Sequence, residues 1–227
     1  MRIHALVVLA ACSCAGVPGS GNAKTEVRNP PAFTAVSVAG AIDADIAIGP
    51  ESRVEITGDD NIVPLITTEV RGDRLEIGSR KTFRTRVHLV AKITVPRLTG
   101  IALTGSGDIT AHGVQTERLE VNLSGSGTIH ADRVQADRLA VDLSGSGTIR
   151  VDGTAHEAQI ELIGSGTVAL EQLAAERATV SLSGSGDIAV AASRALDVSI
   201  TGSGDVTYRG DPELKKKITG SGSVSKR

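Results

Sequence analysis

Residues 119–131 read Leu119-Glu120-Val121-Asn122-Leu123-Ser124-Gly125-Ser126-Gly127-Thr128-Ile129-His130-Ala131. Leu119, Val121 and Leu123 alternate with Glu120 and Asn122, a period of two that puts apolar side chains on one face of a strand and polar ones on the other. The alternation resumes after the glycines with Ile129 and Ala131, so two short strands meet at a glycine corner. Gly-Ser-Gly begins at Gly105, Gly125, Gly145, Gly164, Gly184, Gly202 and Gly220, at intervals of 20, 20, 19, 20, 18 and 18 residues. A near-constant period of this length is too long for one hairpin strand and too short for a helix pair. It predicts an all-β fold, a right-handed parallel β-helix in which each unit is one coil of a solenoid.

The inward triplet recurs as Leu139, Val141, Leu143; Ala158, Ile160, Leu162; Ala178, Val180, Leu182; and Leu196, Val198, Ile200. One coil cannot bury this face alone, so neighbouring coils complete the core, with strands hydrogen-bonded about 4.8 Å apart. The corner glycines are Gly105 and Gly107, Gly125 and Gly127, Gly145 and Gly147, Gly164 and Gly166, Gly184 and Gly186, Gly202 and Gly204, and Gly220 and Gly222. A sharp bend calls there for positive φ or for close approach of stacked backbones, which a Cβ obstructs. With no Trp, two Phe and one Tyr, the interior is narrow and aliphatic. In the last unit Lys216 takes an inward place beside Lys215 and Lys217, reading either as charge that closes an open strand edge or as an anionic contact patch.

Residues 1–15 have the form of an export signal: Arg2 and His4 precede the apolar run 5–11, too short to cross a bilayer as a helix. Leu9-Ala10-Ala11-Cys12 resembles the bacterial lipobox, which makes Cys12 the lipid attachment site, with Ser13 matching outer-membrane sorting. Ordinary cleavage after Ala15 is the alternative. No cysteine follows Cys14, so the exported domain rests on its core rather than on disulfides. Residues 16–31, with Pro18, Gly19, Gly21, Pro30 and Pro31, read as a flexible tether. Residues 32–227 read as one solenoid domain whose regular repeats span 98–227.

Two-residue alternation also runs through 33–95 with less regular turns. Gly58-Asp59-Asp60-Asn61 before Ile62-Val63-Pro64 predicts a helical turn capped by an Asp or Asn side chain and plugging that end of the stack. Val38-Ala39-Gly40-Ala41-Ile42-Asp43 reads as a degenerate corner. The run from Gly58 to Pro64, Thr68-Glu69-Val70, Ile93-Thr94-Val95-Pro96 and the Gly-Ser-Gly-Asp-Ile coils together resemble the putative auto-transporter adhesin head domain, the GIN family, over roughly residues 33–224. The resemblance implies an exported bacterial β-solenoid of the cell envelope. It supplies no catalytic or ligand-binding residues to carry over.

Little in the chain points to chemistry. His88, His112, His130 and His156 have no paired spacing for a metal, and no metal or cofactor is expected. The residue two before each corner serine is Ser, Thr or Ile163, so no Gly-x-Ser-x-Gly nucleophile elbow occurs. Asp108, Thr128, Thr148, Thr167, Asp187, Asp205 and Ser223 follow the corners and stack on one outward row. Asp187 and Asp205 are the calcium candidates there, against solvated carboxylates that accept turn N–H bonds. With 24 basic and 26 acidic residues and a net charge of −2, nucleic acid is not an expected partner. The expected function is a non-enzymatic, membrane-tethered envelope protein, adhesin-like or structural, whose partner is an unidentified envelope protein or glycan. The rows Asn122, Asp142, Glu161, Ser181 and Thr110, His130, Arg150, Thr207 are its candidate contact faces. A polysaccharide-binding or polysaccharide-cleaving β-helix and a periplasmic accessory of an envelope or sensor complex are the alternatives.

Overall fold

The computed structural model describes residues 16–227, most of them in β-strands, with one 3₁₀ turn at Val63–Leu65. Residues 1–15, on which the expected export signal and Cys12 fall, lie outside the described residues. From Gly100–Gly105 onward the strands stack in parallel and in register. Leu103, Leu123, Leu143, Leu162, Leu182, Ile200 and Ile218 form one continuous row, each paired with its equivalent a coil away. All but Ile218 are buried. The fold is a β-solenoid with an aliphatic core running its length. Where the period shortens from 20 to 19, the lost residue falls at a register shift between Ala131 and Val134, so the inward triplet stays aligned.

The coils of 19 and 20 residues have three inward stretches rather than two. In the coil from Thr128 to Gly145, Ile129 and Ala131 are followed by buried Val134 and Ala136 and then by Leu139, Val141 and Leu143. Adjacent non-buried pairs, Asp132–Arg133 and Asp137–Arg138, interrupt the alternation where the backbone turns. Arg133 takes a φ of 51°, the turn's left-handed residue. A two-residue inward stretch is too short to show a period, which is why the sequence pattern conceals this side.

At the Gly-Ser-Gly corner the two glycines answer different demands. Gly145 has φ 125°, in the region that favours glycine, and a Cβ there would be driven into the carbonyl oxygen of Gly125. That oxygen accepts the N–H groups of Ser146 and Gly147, both at 3.0 Å, so one carbonyl stitches two coils. Gly147 needs only the close approach: its Cβ would lie 2.5 Å from the Gly127 oxygen and 2.6 Å from Leu123 Cδ2.

Toward the amino terminus, Val38 stacks on Leu103 and Gly40 on Gly105, so the degenerate corner belongs to the stack. The purely parallel arrangement then ends. Ala23–Arg28 runs antiparallel to Arg53–Asp59, Arg53–Asp59 antiparallel to Val90–Val95, and Ile66–Arg71 antiparallel to Arg74–Ser79. The expected tether over 16–31 is therefore corrected: Val17–Pro18 pairs with Phe83–Arg84 and Ala23–Arg28 lies along the sheet. Backbone hydrogen bonds to a sheet edge hold the segment despite its prolines and glycines.

The turn before Val63 is also built differently from expectation. Its N-cap residue, Ile62, makes no side-chain cap bond. The Asp59 carboxylate is directed elsewhere: Oδ1 accepts the N–H of Gly21 at 2.6 Å, and Oδ2 those of Arg86 and Val87 at 2.9 and 3.1 Å. Asn61 Oδ1 accepts the Ser20 N–H at 2.9 Å. Asp59 is wholly buried. Burial pushes its carboxyl up, and the N–H donors of Arg86, Gly21 and Val87 outweigh that, leaving it below the usual carboxylate range. At the opposite end Lys216 stands in register with Val198 and is exposed, a charge at an inward place on the terminal strand Glu213–Gly220.

Candidate functional site

One coil of sequence separation means adjacency in space, and this places charged side chains along the solenoid's edges. Arg118 and Arg138 sit in register on neighbouring coils, followed by Glu157 and then Arg177. They precede the inward residues Leu119, Leu139, Ala158 and Ala178, so their side chains leave the bend that opens this side of the coil. Like charges directly in register are destabilising, so the Arg118–Arg138 pair works against the fold rather than for it. Glu157 is shared by Arg138 at 3.6 Å and Arg177 at 3.5 Å, while Arg118 pairs with Glu120 at 2.9 Å. All four edge side chains are more than half exposed, so these contacts are screened and worth little.

The small side chains of Ala140 and Ala158 leave a depression of about 460 Å³ between these arginines, Gln159 and Thr179. A second depression of about 310 Å³, with Arg74, Arg97, Asp73, Glu117 and Glu120 in its wall, shares Arg118 and continues along the same edge. Together they make a shallow groove along the stack, and a guanidinium fork suits anions that present two oxygens side by side, such as a carboxylate or a sulfate group.

All four histidines of the described residues meet carboxylates of other strands. His112 Nδ1 is 2.6 Å from Asp132 and its Nε2 3.5 Å from Asp45; His130 Nε2 is 3.2 Å from Asp152; His88 Nε2 is 2.9 Å from Asp43. His156 Nδ1 lies 3.3 Å from Glu176. These are ties between strands, with His112 bridging two carboxylates; among the described residues no group of three or more His, Cys, Asp or Glu side chains is placed to hold a metal ion.

The Asp187–Asp205 neighbourhood is present in register, and Asp205 Oδ1 accepts the N–H and Oγ–H of Ser223 at 3.0 and 2.7 Å. Asp43 likewise accepts the Asp108 N–H at 2.8 Å. These carboxylates close turns between coils. Asn122, Asp142, Glu161 and Ser181 stack as one outward row. Partial burial, then Glu161, then Glu120, push the Asp142 carboxyl above its usual range. Thr110, His130 and Arg150 are consecutive, but Ala169 and Ala189 intervene before Thr207, so that row is polar only at its ends.

Neither the arginine edge nor the histidine pairs follow from short motifs. Their signal is the period itself: Arg118 to Arg138, Glu157 to Arg177, His112 to Asp132 and His156 to Glu176 are each separated by 20 residues.

The fold has solved counterparts. A putative adhesin from Bacteroides fragilis superposes with TM-score 0.88 at 24% identity, covering 93% of this chain and all of that one. A putative lipid binding protein from Parabacteroides distasonis superposes with TM-score 0.78 at 28% identity, covering 93% of this chain and 99% of that one. A putative adhesin from the same species gives 0.74 at 23% identity, with 93% and 99% covered. No curated protein matches the chain at a significant level. The family model of the putative auto-transporter adhesin, head GIN domain, matches residues 32–212.

Proposed function

Because the chain belongs to the family of the putative auto-transporter adhesin head GIN domain, we propose that it is an exported, non-enzymatic contact protein of the cell envelope, tethered through an acylated Cys12. The groove lined by Arg118, Arg138 and Arg177 is its contact surface for a partner that carries carboxylate or sulfate groups. The observation that carries this reading is the register of that edge, where arginines are stacked at a cost to the fold and left exposed. An anionic partner relieves that repulsion.

The tether is short. Five residue steps separate Cys12 from Val17, the first residue paired to the domain, which spans at most about 18 Å of extended chain. The domain therefore stands against the membrane that holds it rather than on a stalk.

The experiment is protease digestion of an epitope-tagged chain in intact and permeabilised cells, beside Cys12→Ala. Tethering predicts that Cys12→Ala moves the protein from the membrane to the soluble fraction; a native chain that is already soluble refutes it. Digestion in intact cells assigns the contact to the outside. Protection until permeabilisation assigns it to the periplasm, as an accessory of another envelope component. Turnover of any envelope polysaccharide by the purified protein refutes the non-enzymatic role.

A further inference from the structure

Residues 80–86 read Arg80-Lys81-Thr82-Phe83-Arg84-Thr85-Arg86, four basic residues in seven with no acidic one. Arg80, Lys81, Arg84 and Arg86 are all exposed, and none enters an ion pair among the described residues, although elsewhere salt bridges are frequent. Their backbone is held firmly. The Ser79 hydroxyl donates to the Lys81 carbonyl at 2.6 Å, and the N–H of Arg86 is fixed by buried Asp59 at 2.9 Å. Phe83 packs against the edge of the core. The segment thus presents four cations on an ordered backbone without using their charge for the fold.

Its position is what gives it meaning. The N–H of Val17 donates to the Thr82 carbonyl at 2.9 Å and that of Gly19 to the Arg84 carbonyl at 2.7 Å. The basic segment is therefore the strand partner of the residues that follow Cys12. A surface potential acts only within a Debye length, about 8 Å at physiological salt, and the leash of at most about 18 Å lets this segment reach that zone. The acidic groups facing it are few. Asp59 is buried and committed to backbone N–H groups, and Asp60 is bound by the Ser20 hydroxyl at 2.5 Å. The chain as a whole carries −2, so general charge does not draw it to an anionic surface.

We propose that Arg80, Lys81, Arg84 and Arg86 form a docking patch for anionic lipid headgroups, a second membrane contact beside the acyl anchor that lays this end of the solenoid on the bilayer. The patch deepens the tethering proposed above. The acyl anchor fixes only the start of the chain, and a basic patch within a Debye length of the headgroups is a separate contact that sets how this end of the domain lies on them.

The test is sedimentation of the mature, non-acylated chain carrying Cys12→Ser with phosphatidylglycerol vesicles and with neutral phosphatidylcholine vesicles. Binding is expected to the anionic vesicles, to weaken with salt, and to fall about fivefold for each of the four residues replaced by Gln, from about 1 kcal/mol per basic residue near the surface. The control variant Arg194→Gln/Arg209→Gln, two exposed arginines on the coils toward the opposite end of the stack, is expected to bind as the parent does. Equal binding to both vesicle types, or an equal loss per residue from this control, overturns the patch. Circular dichroism verifies that each variant is folded, and single substitutions serve where the fourfold variant is not. Acylation of Cys12 is read separately by the mass of the protein isolated from cells. A non-acylated native chain that still binds anionic vesicles removes the anchor and keeps the patch; an acylated chain without vesicle selectivity does the reverse.

Discussion

Replacing Gly145 by Ala tests the corner that makes the solenoid. Gly145 occupies φ 125°, a region essentially restricted to glycine, which costs an alanine about 1–3 kcal/mol. Its Cβ would also collide with the Gly125 carbonyl oxygen, a backbone atom that cannot swing aside. Separating the two coils carries an overpacking cost of about 1–3 kcal/mol, and stretches the bonds from the Ser146 and Gly147 N–H groups, each worth about 1 kcal/mol. The total is about 2–8 kcal/mol. Gly40 separates the two causes. It has φ 95°, but an added Cβ meets nothing within 4 Å, so Gly40→Ala bears the backbone strain alone, about 1–3 kcal/mol. Urea unfolding followed by far-ultraviolet circular dichroism measures both, since the chain has no Trp to report by fluorescence. Gly145→Ala is expected to have the lower midpoint by about 1 M or more. A Gly145→Ala midpoint equal to or above that of Gly40→Ala refutes the view that stacked-backbone contact, rather than φ alone, makes glycine necessary at the corner.

Three further outcomes follow from the charged groups. Asp142 has a carboxyl raised by burial, then by Glu161 and Glu120, so its ionisation opposes folding: its favourable contribution is present below the usual value near 3.8 and is lost as pH rises through the raised one. Asp142→Asn should therefore stabilise the protein at pH 7 by a few tenths of a kcal/mol, screening included, with no gain below about pH 3. Asp59 has the opposite sign. Its lowered carboxyl contributes stability that is present above about pH 4 and lost as pH falls through the lower folded value. Asp59→Asn should accelerate amide hydrogen exchange of Val17, Gly19 and Ala23–Arg28 at pH 7, and the native protein should show the same acceleration only in acid; unchanged exchange in both would remove Asp59 as the clamp. Lys216→Leu restores an apolar residue at an inward place on the terminal strand, beside Val198. Concentration-dependent self-association by analytical ultracentrifugation is expected, and a monomer at all concentrations would count against the lysine as a guard of the open edge.

The amino-terminal segment illustrates where pattern reading stops. Gly16, Pro18, Gly19 and Gly21 have the composition of a linker, yet Val17–Pro18 and Ala23–Arg28 are strands because Phe83–Arg84 and Arg53–Asp59 offer free edges to pair with. Asp59 has the sequence context of a helix cap, yet it serves three N–H groups from distant segments. In both cases the partner is tens of residues away, and local propensity yields to a tertiary hydrogen bond. The arginine edge and the histidine pairs are a middle case. Their one-coil separations are visible in the sequence, but only the register shows that Arg118 and Arg138 stack and that Glu157 is left to serve two guanidiniums.

By itself the sequence determined the coil: alternation of two selects the strand, the recurring Gly-Ser-Gly selects the corner, and their common period stacks Leu103 through Ile200 in one core row. These are local constraints repeated many times, so each coil restates the same answer. Only the tertiary structure decided the third side of the coil, the antiparallel strands at the amino-terminal end, and the placing of Arg80, Lys81, Arg84 and Arg86 beside the chain that follows Cys12. Those depend on which edge remains unpaired once the stack has formed, and the free energy of that choice lies in long-range hydrogen bonds and burial that no periodic pattern encodes.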